Sequence, residues 1–258
     1  MDASPAEAEI LLVGGQPIDL HDFPNLKGIF KCGVGRDNVP EDHATQIGII
    51  CGFPSPASAS IIFDETACFA SHLVLQCMYA QSGSFDIWKK ISRDRLASRQ
   101  ILVIGNGNIG SRVVKKLENF AEISTFDTIS NQPDELEKMV RHADCITLHL
   151  PLNSCTKDFF NAEKISWMKD GASLVNTARA PLVAEEDLYQ ELLAGRIRAA
   201  FDVFWQEPYK GKLTELPKDR FMRSPHIASN CVEFLTAIAT DFRQFISSLN
   251  LQKSIVKR

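Results

Sequence analysis

Short apolar stretches alternate with amphipathic stretches along most of the chain, and this pattern predicts strands and helices in turn. Three short strands are expected early, at 10–13, 28–30 and 46–51. One long, largely buried helix is expected at 65–80, because apolar residues recur there at helical spacing. A polar connector follows at 81–98.

From residue 100 onward the two patterns alternate strictly. Strands are expected at 101–104, 122–126, 145–150, 173–176 and 199–204. Helices are expected at 111–119, 132–140, 164–168, 185–194 and 232–249. Alternation of this kind is typical of a parallel sheet with helices on both faces. The predicted fold class is therefore α/β, with a doubly wound parallel sheet.

Composition narrows the classes of function. The 258 residues are 45% hydrophobic and 23% charged, which predicts a globular chain with a sizeable core. A net charge of −4 offers no basic surface for nucleic acid or anionic lipid, so neither partner is expected. No apolar run reaches the roughly 20 residues that span a bilayer, and no secretion signal is recognised. Seven scattered cysteines without a Cys-x-x-Cys pair predict free thiols, a cytoplasmic location and no metal site.

A glycine motif follows the strand at 101–104. Gly105 would allow the tight turn, Gly107 would let backbone approach a diphosphate, and Gly110 would let the next helix pack closely. Asp127 ends the following strand, where a carboxylate would bind the adenosine ribose. Since that carboxylate would repel a 2′-phosphate and no Arg follows it closely, the sequence predicts NAD rather than NADP.

Three loops that follow or lie near predicted strands carry titratable residues, namely Arg179, Glu207 and His226. Loops at the carboxyl ends of parallel strands meet at one edge of the sheet. A guanidinium suits the carboxylate of a 2-oxo acid, and a histidine oriented by a carboxylate suits proton transfer to its carbonyl oxygen. Together with a dinucleotide they predict hydride transfer between NAD and a small acid.

An ordered series of segments resembles the D-isomer-specific 2-hydroxyacid dehydrogenase family from about residue 10 to about residue 235. The segments are Gly33-Val-Gly-Arg-Asp-Asn38, Val103-Ile-Gly-Asn-Gly-Asn-Ile-Gly110, His149-Leu-Pro-Leu-Asn153, Leu174-Val-Asn-Thr-Ala-Arg179, Ala200-Phe-Asp-Val-Phe204 with Glu207-Pro208, and Ser224-Pro-His-Ile227. The series is far more specific than the glycine motif alone.

The resemblance implies a role for each matched residue. Arg179 would anchor the substrate, and Glu207 would pair with His226, the acid/base. Asp202 would hold the nicotinamide carboxamide, near which His226 would also lie. Further cofactor contacts are implied at Asn108, Ile109, Leu150, Pro151, Thr177 and Ala178.

The resemblance also implies two domains that close on each other. The NAD-binding domain would span 71–230, and a smaller, flavodoxin-like substrate domain would combine 1–70 with 231–258. In the latter, the backbone N–H groups of Val34 and Gly35 would bind the carboxylate of a 2-oxo or 2-hydroxy acid, and Arg36 could contact a second acidic group. Family members are usually homodimers joined through the NAD-binding domain.

This chain departs from the family pattern in three places. The first strand–helix unit of the substrate domain is expected to be absent, and the connector around Trp88 is shorter than the usual dimer arm. Ala180 stands where a glycine usually follows the anchor arginine.

Two alternative functions stay open at this point. One is an NAD(H)-sensing binding protein of the same fold with little or no turnover. The other is an enzyme acting on a different anion. Formate is disfavoured because its oxidation needs no histidine–glutamate pair, whereas a phosphonate or dicarboxylate stays open because of Arg36.

Overall fold

A computed structural model of the chain describes residues 4–80, 83–84 and 86–256, with backbone alone for 84 and 250–256. The strands are β1 Ile10–Val13, β2 Gly28–Lys31, β3 Ile50–Gly52, β4 Gly83–Ser84, β5 Lys89–Lys90, β6 Gln100–Ile104, β7 Glu122–Phe126, β8 Cys145–Leu148, β9 Ser173–Asn176, β10 Arg198–Phe201 and β11 Phe221–Arg223. The α-helices are α1 Glu41–Gln46, α2 Pro56–Tyr79, α3 Gly110–Leu117, α4 Glu135–His142, α5 Ala162–Ser166, α6 Glu185–Leu193 and α7 Val232–Val256.

The chain divides into two units. The smaller combines Met1–Ile62 with Ser229–Arg258, and the larger spans Phe63–Ala228. A parallel sheet in the order β1–β2–β3 forms the smaller unit. Its central strand alternates between two cores, since Ile29 packs with one cluster and Phe30 with the cluster that includes α7. Adjacent residues of this one short strand therefore contribute to cores on opposite faces of the sheet.

The larger unit contains a six-stranded sheet in the order β11–β10–β9–β8–β6–β7, with parallel pairing throughout. Helices α3 to α6 connect successive strands, and the strands of the centre are almost entirely buried. The order reverses direction between β6 and β8, because β7 lies on one side of β6 and all later strands lie on the other. Ligands of such sheets bind outside the carboxyl ends of the strands at this switch point.

The long helix α2 is apolar for a structural reason. By length and composition it could cross a membrane, but half of its most apolar stretch is buried in the fold. Ala67, Ala70 and Val74 are fully buried and pack with residues of β6 and α3. Packing in the core accounts for the apolar composition of this helix, which the sequence predicted to be largely buried.

Several predicted element boundaries were wrong. The strand expected at 46–51 is confined to Ile50–Gly52, because 41–46 forms α1 and Gly48, with φ of +80°, follows that helix. The strands expected to reach residues 150 and 204 end at Leu148 and Phe201. In both places the apolar pattern continues into a partly or fully buried loop, so hydrophobicity alone did not mark the end of the strand.

The sequence pattern also missed elements. Strand β11 was not predicted, since only Phe221 of its three residues is buried and one turn of polar residues precedes it. The connector at 81–98 contains the short antiparallel pair β4–β5, with Gly83 at φ +133°. Of these, β11 matters most for the site because it leads directly into the loop that carries His226.

Candidate active site

The glycine loop lies at the switch point between β6 and α3. A Cβ on Gly105, whose φ is +92°, would lie 2.7 Å from the carbonyl oxygen of His149. A Cβ on Gly110 would lie 1.9 Å from the carbonyl oxygen of Gly105. A Cβ on Gly107, in contrast, would meet no protein atom within 4 Å. Two glycines are therefore required by the fold itself, and the third faces open space where a diphosphate would fit.

Further predicted cofactor-binding residues lie in this loop and next to it. Asn108 is exposed and Ile109 precedes the first residue of α3. Asp127 follows β7, and its carboxylate accepts hydrogen bonds from the backbone N–H groups of Asn106 (2.9 Å) and Ile129 (3.0 Å). The Asp127 carboxylate is thus held directly beside the glycine loop, where the ribose of a dinucleotide is expected.

Two buried polar atoms at the same sheet edge lack a hydrogen-bond partner among the described residues. They are Oγ1 of Thr177, which follows β9, and Nδ1 of His149, which follows β8. Ala178, Leu150 and Pro151 continue these two loops. Unsatisfied buried polar atoms are costly, and a bound polar ligand is one way to satisfy them. These atoms and the open space at Gly107 fit a dinucleotide.

His149 begins one of the segments that resemble the family, and the sequence predicts no role for it. Its Nε2 lies 2.9 Å from Oγ1 of Thr147, and burial lowers the pKa of His149 to about 4. The imidazole is therefore neutral at physiological pH. The position directly after a buried strand at the switch point is the signal that could have singled it out.

The structure brings His226 and Glu207 together. Nδ1 of His226 lies 2.9 Å and 3.0 Å from the two carboxylate oxygens of Glu207. The backbone N–H of Phe204 donates to Oε1 of Glu207 at 3.1 Å, which fixes the carboxylate. His226 has a φ of +54° and a side chain that is 40% exposed. The Glu207 contact leaves Nε2 as the nitrogen available for proton transfer.

Asp202 organises the loop on which His226 lies. Its fully buried carboxylate accepts hydrogen bonds from the Ser224 hydroxyl and from the backbone N–H groups of Ile227 (3.0 Å) and Ala228 (2.8 Å). Burial raises the pKa of Asp202, although these three donors and His226 favour the charged form. Ser224 is a further residue whose contribution the sequence did not reveal.

Arg179 lies on the loop after β9, beside the strand that leads to Asp202. Asn176 shapes this loop: its Oδ1 accepts from Ala178 N at 3.0 Å, and its Nδ2 donates to the carbonyl oxygen of Arg179 at 2.8 Å. Nη1 of Arg179 donates to the Ala178 carbonyl oxygen at 2.8 Å. Because β9, β10 and β11 are adjacent, the loops of Arg179, Asp202 and His226 follow neighbouring strands.

A cavity of about 460 Å³ adjoins the His226–Glu207 pair. Its lining is mainly apolar and includes Phe204, Glu207, Pro208, Tyr209 and His226. An apolar cavity beside a fixed acid–base pair is suited to a small organic ligand.

The other three predicted substrate-binding residues, Val34, Gly35 and Arg36, lie in the smaller unit, after β2. Val34 and Gly35 are partly buried. Arg36 is exposed; its Nη1 lies 3.1 Å from Oε2 of Glu41, and its guanidinium lies 3.9 Å from the centre of the Phe53 ring. Its expected contact with a substrate stays a prediction.

The fold and the site define an α/β dehydrogenase with a dinucleotide cofactor. The model of the NAD-binding domain of D-isomer-specific 2-hydroxyacid dehydrogenases matches residues 72–228. A hydroxypyruvate reductase of Thermotoga maritima is 31% identical over 223 residues, covering 81% of this chain and 72% of that protein. The chain belongs to the D-isomer-specific 2-hydroxyacid dehydrogenase family, and NAD is its cofactor.

Other relatives agree with this assignment. A D-3-phosphoglycerate dehydrogenase of Methanocaldococcus jannaschii is 32% identical over 231 residues, which are 83% of this chain but 44% of that protein. The crystal structure of D-lactate dehydrogenase from Aquifex aeolicus with NAD and lactic acid superposes with a TM-score of 0.77 at 25% identity, covering 98% of this chain and 84% of that one.

Proposed function

We propose that the chain interconverts a small 2-oxo acid and its D-2-hydroxy acid by hydride transfer with NAD. The observation that carries this proposal is the His226–Glu207 pair, held at 2.9 Å and 3.0 Å at the sheet edge that also presents the glycine loop. Family membership supports the reaction class, since relatives include a hydroxypyruvate reductase and two glyoxylate reductases.

In the reductive direction, NADH held beside Gly107 and Asp127 would supply the hydride to the carbonyl carbon. His226 donates a proton from Nε2 to the carbonyl oxygen, and the resulting imidazole is held in orientation by Glu207. The Arg179 guanidinium binds the substrate carboxylate and polarises the adjacent carbonyl. Asp202 keeps the His226 loop in place through its three hydrogen bonds, and it would also bind the nicotinamide carboxamide.

In the smaller unit, Val34, Gly35 and Arg36 would bind the substrate. The two backbone N–H groups would bind the carboxylate, as in the family pattern. Arg36 now pairs with Glu41. It would favour a substrate whose second acidic group replaces Glu41 in this pair. Small anionic 2-oxo acids are therefore the substrate class to test first.

The direct test follows NADH absorbance with glyoxylate, pyruvate, hydroxypyruvate, oxaloacetate, and branched and aromatic 2-oxo acids. Saturable turnover of at least one of these acids is expected. Absence of turnover across the panel, with NADH still bound, would contradict the proposal and favour an NAD(H)-sensing binding protein.

We further propose a homodimer formed through the NAD-binding unit. The segment after α2 exposes Ile87 (71%), Trp88 (74%) and Ile91 (47%), close together in the chain. Exposed apolar residues in such a group are typical of an interface. A sedimentation measurement that gave only the monomer mass would contradict this assignment.

A further inference from the structure

Glu207 lies on a segment that is neither helix nor strand. The segment covers residues 202–209, directly after β10. Because no regular element fixes its course, the position of the Glu207 carboxylate depends on contacts made by the side chains on either side of it. Two of these side chains, Trp205 and Tyr209, flank Glu207 in the chain and reach the start of α6.

Tyr209 connects the end of this segment to α6. Its hydroxyl donates to Oε1 of Glu185 at 2.6 Å and accepts from the backbone N–H of Leu213 at 3.4 Å. Glu185 is the first residue of α6, where the helix dipole favours a carboxylate. Burial and the hydrogen bond to Glu185 raise the pKa of Tyr209, so the hydroxyl keeps its proton and remains the donor.

The ring of Tyr209 packs on a residue that holds Glu207. It stacks on the ring of Phe204, with ring centres 5.0 Å apart and 25° between the ring planes. The backbone N–H of Phe204 donates to Oε1 of Glu207 at 3.1 Å. A Cβ on Gly211 would lie 2.2 Å from the Tyr209 hydroxyl oxygen, so this glycine leaves the space that the tyrosine needs. Tyr209 is therefore held through its ring as well as through its hydroxyl.

Trp205 makes a second attachment near the same end of α6. Its Nε1 donates to the carbonyl oxygen of Val183 at 3.0 Å, two residues before Glu185. The segment is thus attached on both sides of Glu207, and the Tyr209 hydroxyl is the attachment that a single-atom change can remove.

We propose that Tyr209 is a positioning residue, whose hydrogen bond to Glu185 keeps the Glu207 carboxylate at Nδ1 of His226. A carboxylate at Nδ1 favours the tautomer with its proton on that nitrogen, which leaves Nε2 to exchange a proton with the substrate. The effect on turnover rests on the proposed function, whereas the effect on the His226 ring can be measured without any substrate.

The kinetic test removes the hydroxyl and keeps the ring. In Tyr209→Phe, kcat should fall by about threefold to tenfold with little change in KM or NADH affinity. Glu185→Ala should cause the same loss, whereas Glu185→Gln, which retains an acceptor oxygen, should retain most of kcat. Tyr189→Phe is the matched control, because Tyr189 is a half-buried tyrosine of α6 whose ring lies under Lys212. Its kcat should equal that of the wild type.

A double variant tests whether Tyr209 acts through Glu207. In the Glu207→Gln background, Tyr209→Phe should cause little further loss of kcat, because both changes affect the same contact. Losses that multiply would mean that Tyr209 acts independently of Glu207 and would overturn the proposal. Unchanged kcat in both Tyr209→Phe and Glu185→Ala would overturn it as well. If Tyr209→Phe does not fold, Glu185→Ala takes its place in both backgrounds.

Two-bond proton–nitrogen correlation NMR of the His226 ring provides the measurement without substrate. The resonances of this ring are identified by their loss in His226→Asn. At a pH where the ring is neutral, the wild type and Tyr189→Phe should carry the proton mainly on Nδ1. Tyr209→Phe should show a larger share of the tautomer with the proton on Nε2.

The NMR result separates this proposal from the proposed function. A changed tautomer ratio in Tyr209→Phe, with no turnover of any 2-oxo acid by the wild type, would support the positioning role and contradict the proposed function. An unchanged ratio in Tyr209→Phe, with turnover by the wild type, would overturn the positioning role alone.

Discussion

Orientation of the His226 ring depends on a single carboxylate. Glu207→Gln retains the side-chain length and an oxygen for the Phe204 N–H, but it removes the charge that pairs with His226. We expect kcat to fall by about tenfold to a hundredfold with little change in NADH affinity. The measurement is steady-state kinetics combined with NADH fluorescence titration. Glu215→Gln, at an exposed glutamate, is the control, and an equal kcat in both variants would refute the role of Glu207.

His149 makes stability depend on pH. Because its pKa is about 4 in the folded protein and near 6.5 in the unfolded chain, the unfolded state binds more protons at intermediate pH. The free energy of unfolding therefore has its full value, as far as His149 is concerned, above about pH 6.5. It falls as the pH falls towards 4, by at most about 3 kcal/mol.

Urea unfolding at neutral and acidic pH tests this dependence. His149→Gln should lose less free energy of unfolding than the wild type between about pH 7 and pH 5. His142→Gln, at an exposed histidine of α4, should follow the wild type. Parallel losses in all three proteins would show that His149 is not the responsible group.

At the scale of elements, two glycines of the turn between β6 and α3 have different roles. Gly110 is required for folding, and Gly107 is required for cofactor binding. Gly110→Ala places a Cβ 1.9 Å from a backbone oxygen and should lower the melting temperature strongly. Gly107→Ala meets no protein atom within 4 Å, so its melting temperature should stay near that of the wild type. Its NADH affinity should nevertheless fall by about tenfold or more, because the methyl group occupies the space of the diphosphate. Wild-type affinity in Gly107→Ala would contradict the assigned position of the cofactor.

The same region sets cofactor choice. Asp127→Ser removes the carboxylate that lies beside the glycine loop and would repel a 2′-phosphate. The ratio of kcat/KM for NADH over NADPH should fall by about tenfold or more. A ratio equal to that of the wild type would mean that Asp127 does not face the ribose.

Strands of the large parallel sheet were among the elements that the sequence predicted best. Glu122–Phe126 and Ser173–Asn176 were predicted with the observed bounds, because apolar or alternating residues there are bounded by polar turns. Strand β11 escaped because a three-residue edge strand has too few buried side chains to give a pattern. α1 escaped because most of its residues are polar, with Ala44 alone buried.

The site was predictable in its principal residues and not in its supporting contacts. Glycines, Asp127 and the pair His226–Glu207 stand in recognisable motifs, so their proximity could be inferred from strand order. The bonds from Ser224 and two backbone N–H groups to Asp202 depend on loop geometry. The sequence carries no periodic signal for such contacts.

At the scale of the whole molecule, the exposed apolar segment after α2 should govern assembly. The double variant Ile87→Ser and Trp88→Ser removes two side chains that are 71% and 74% exposed. Sedimentation velocity should show a shift from dimer to monomer, with a melting temperature that depends less on concentration. Ile129→Ser, at an isolated residue that is 95% exposed, is the control. A dimer in both variants would place the interface elsewhere.

The proposed reduction of a 2-oxo acid requires His226 as the proton donor. His226→Asn tests it most directly, because asparagine tolerates the left-handed backbone at φ +54° and so preserves the loop. With the best substrate of the panel, kcat should fall by a factor of about 10² or more while NADH binding persists. Turnover equal to that of the wild type would show that His226 is not the proton donor.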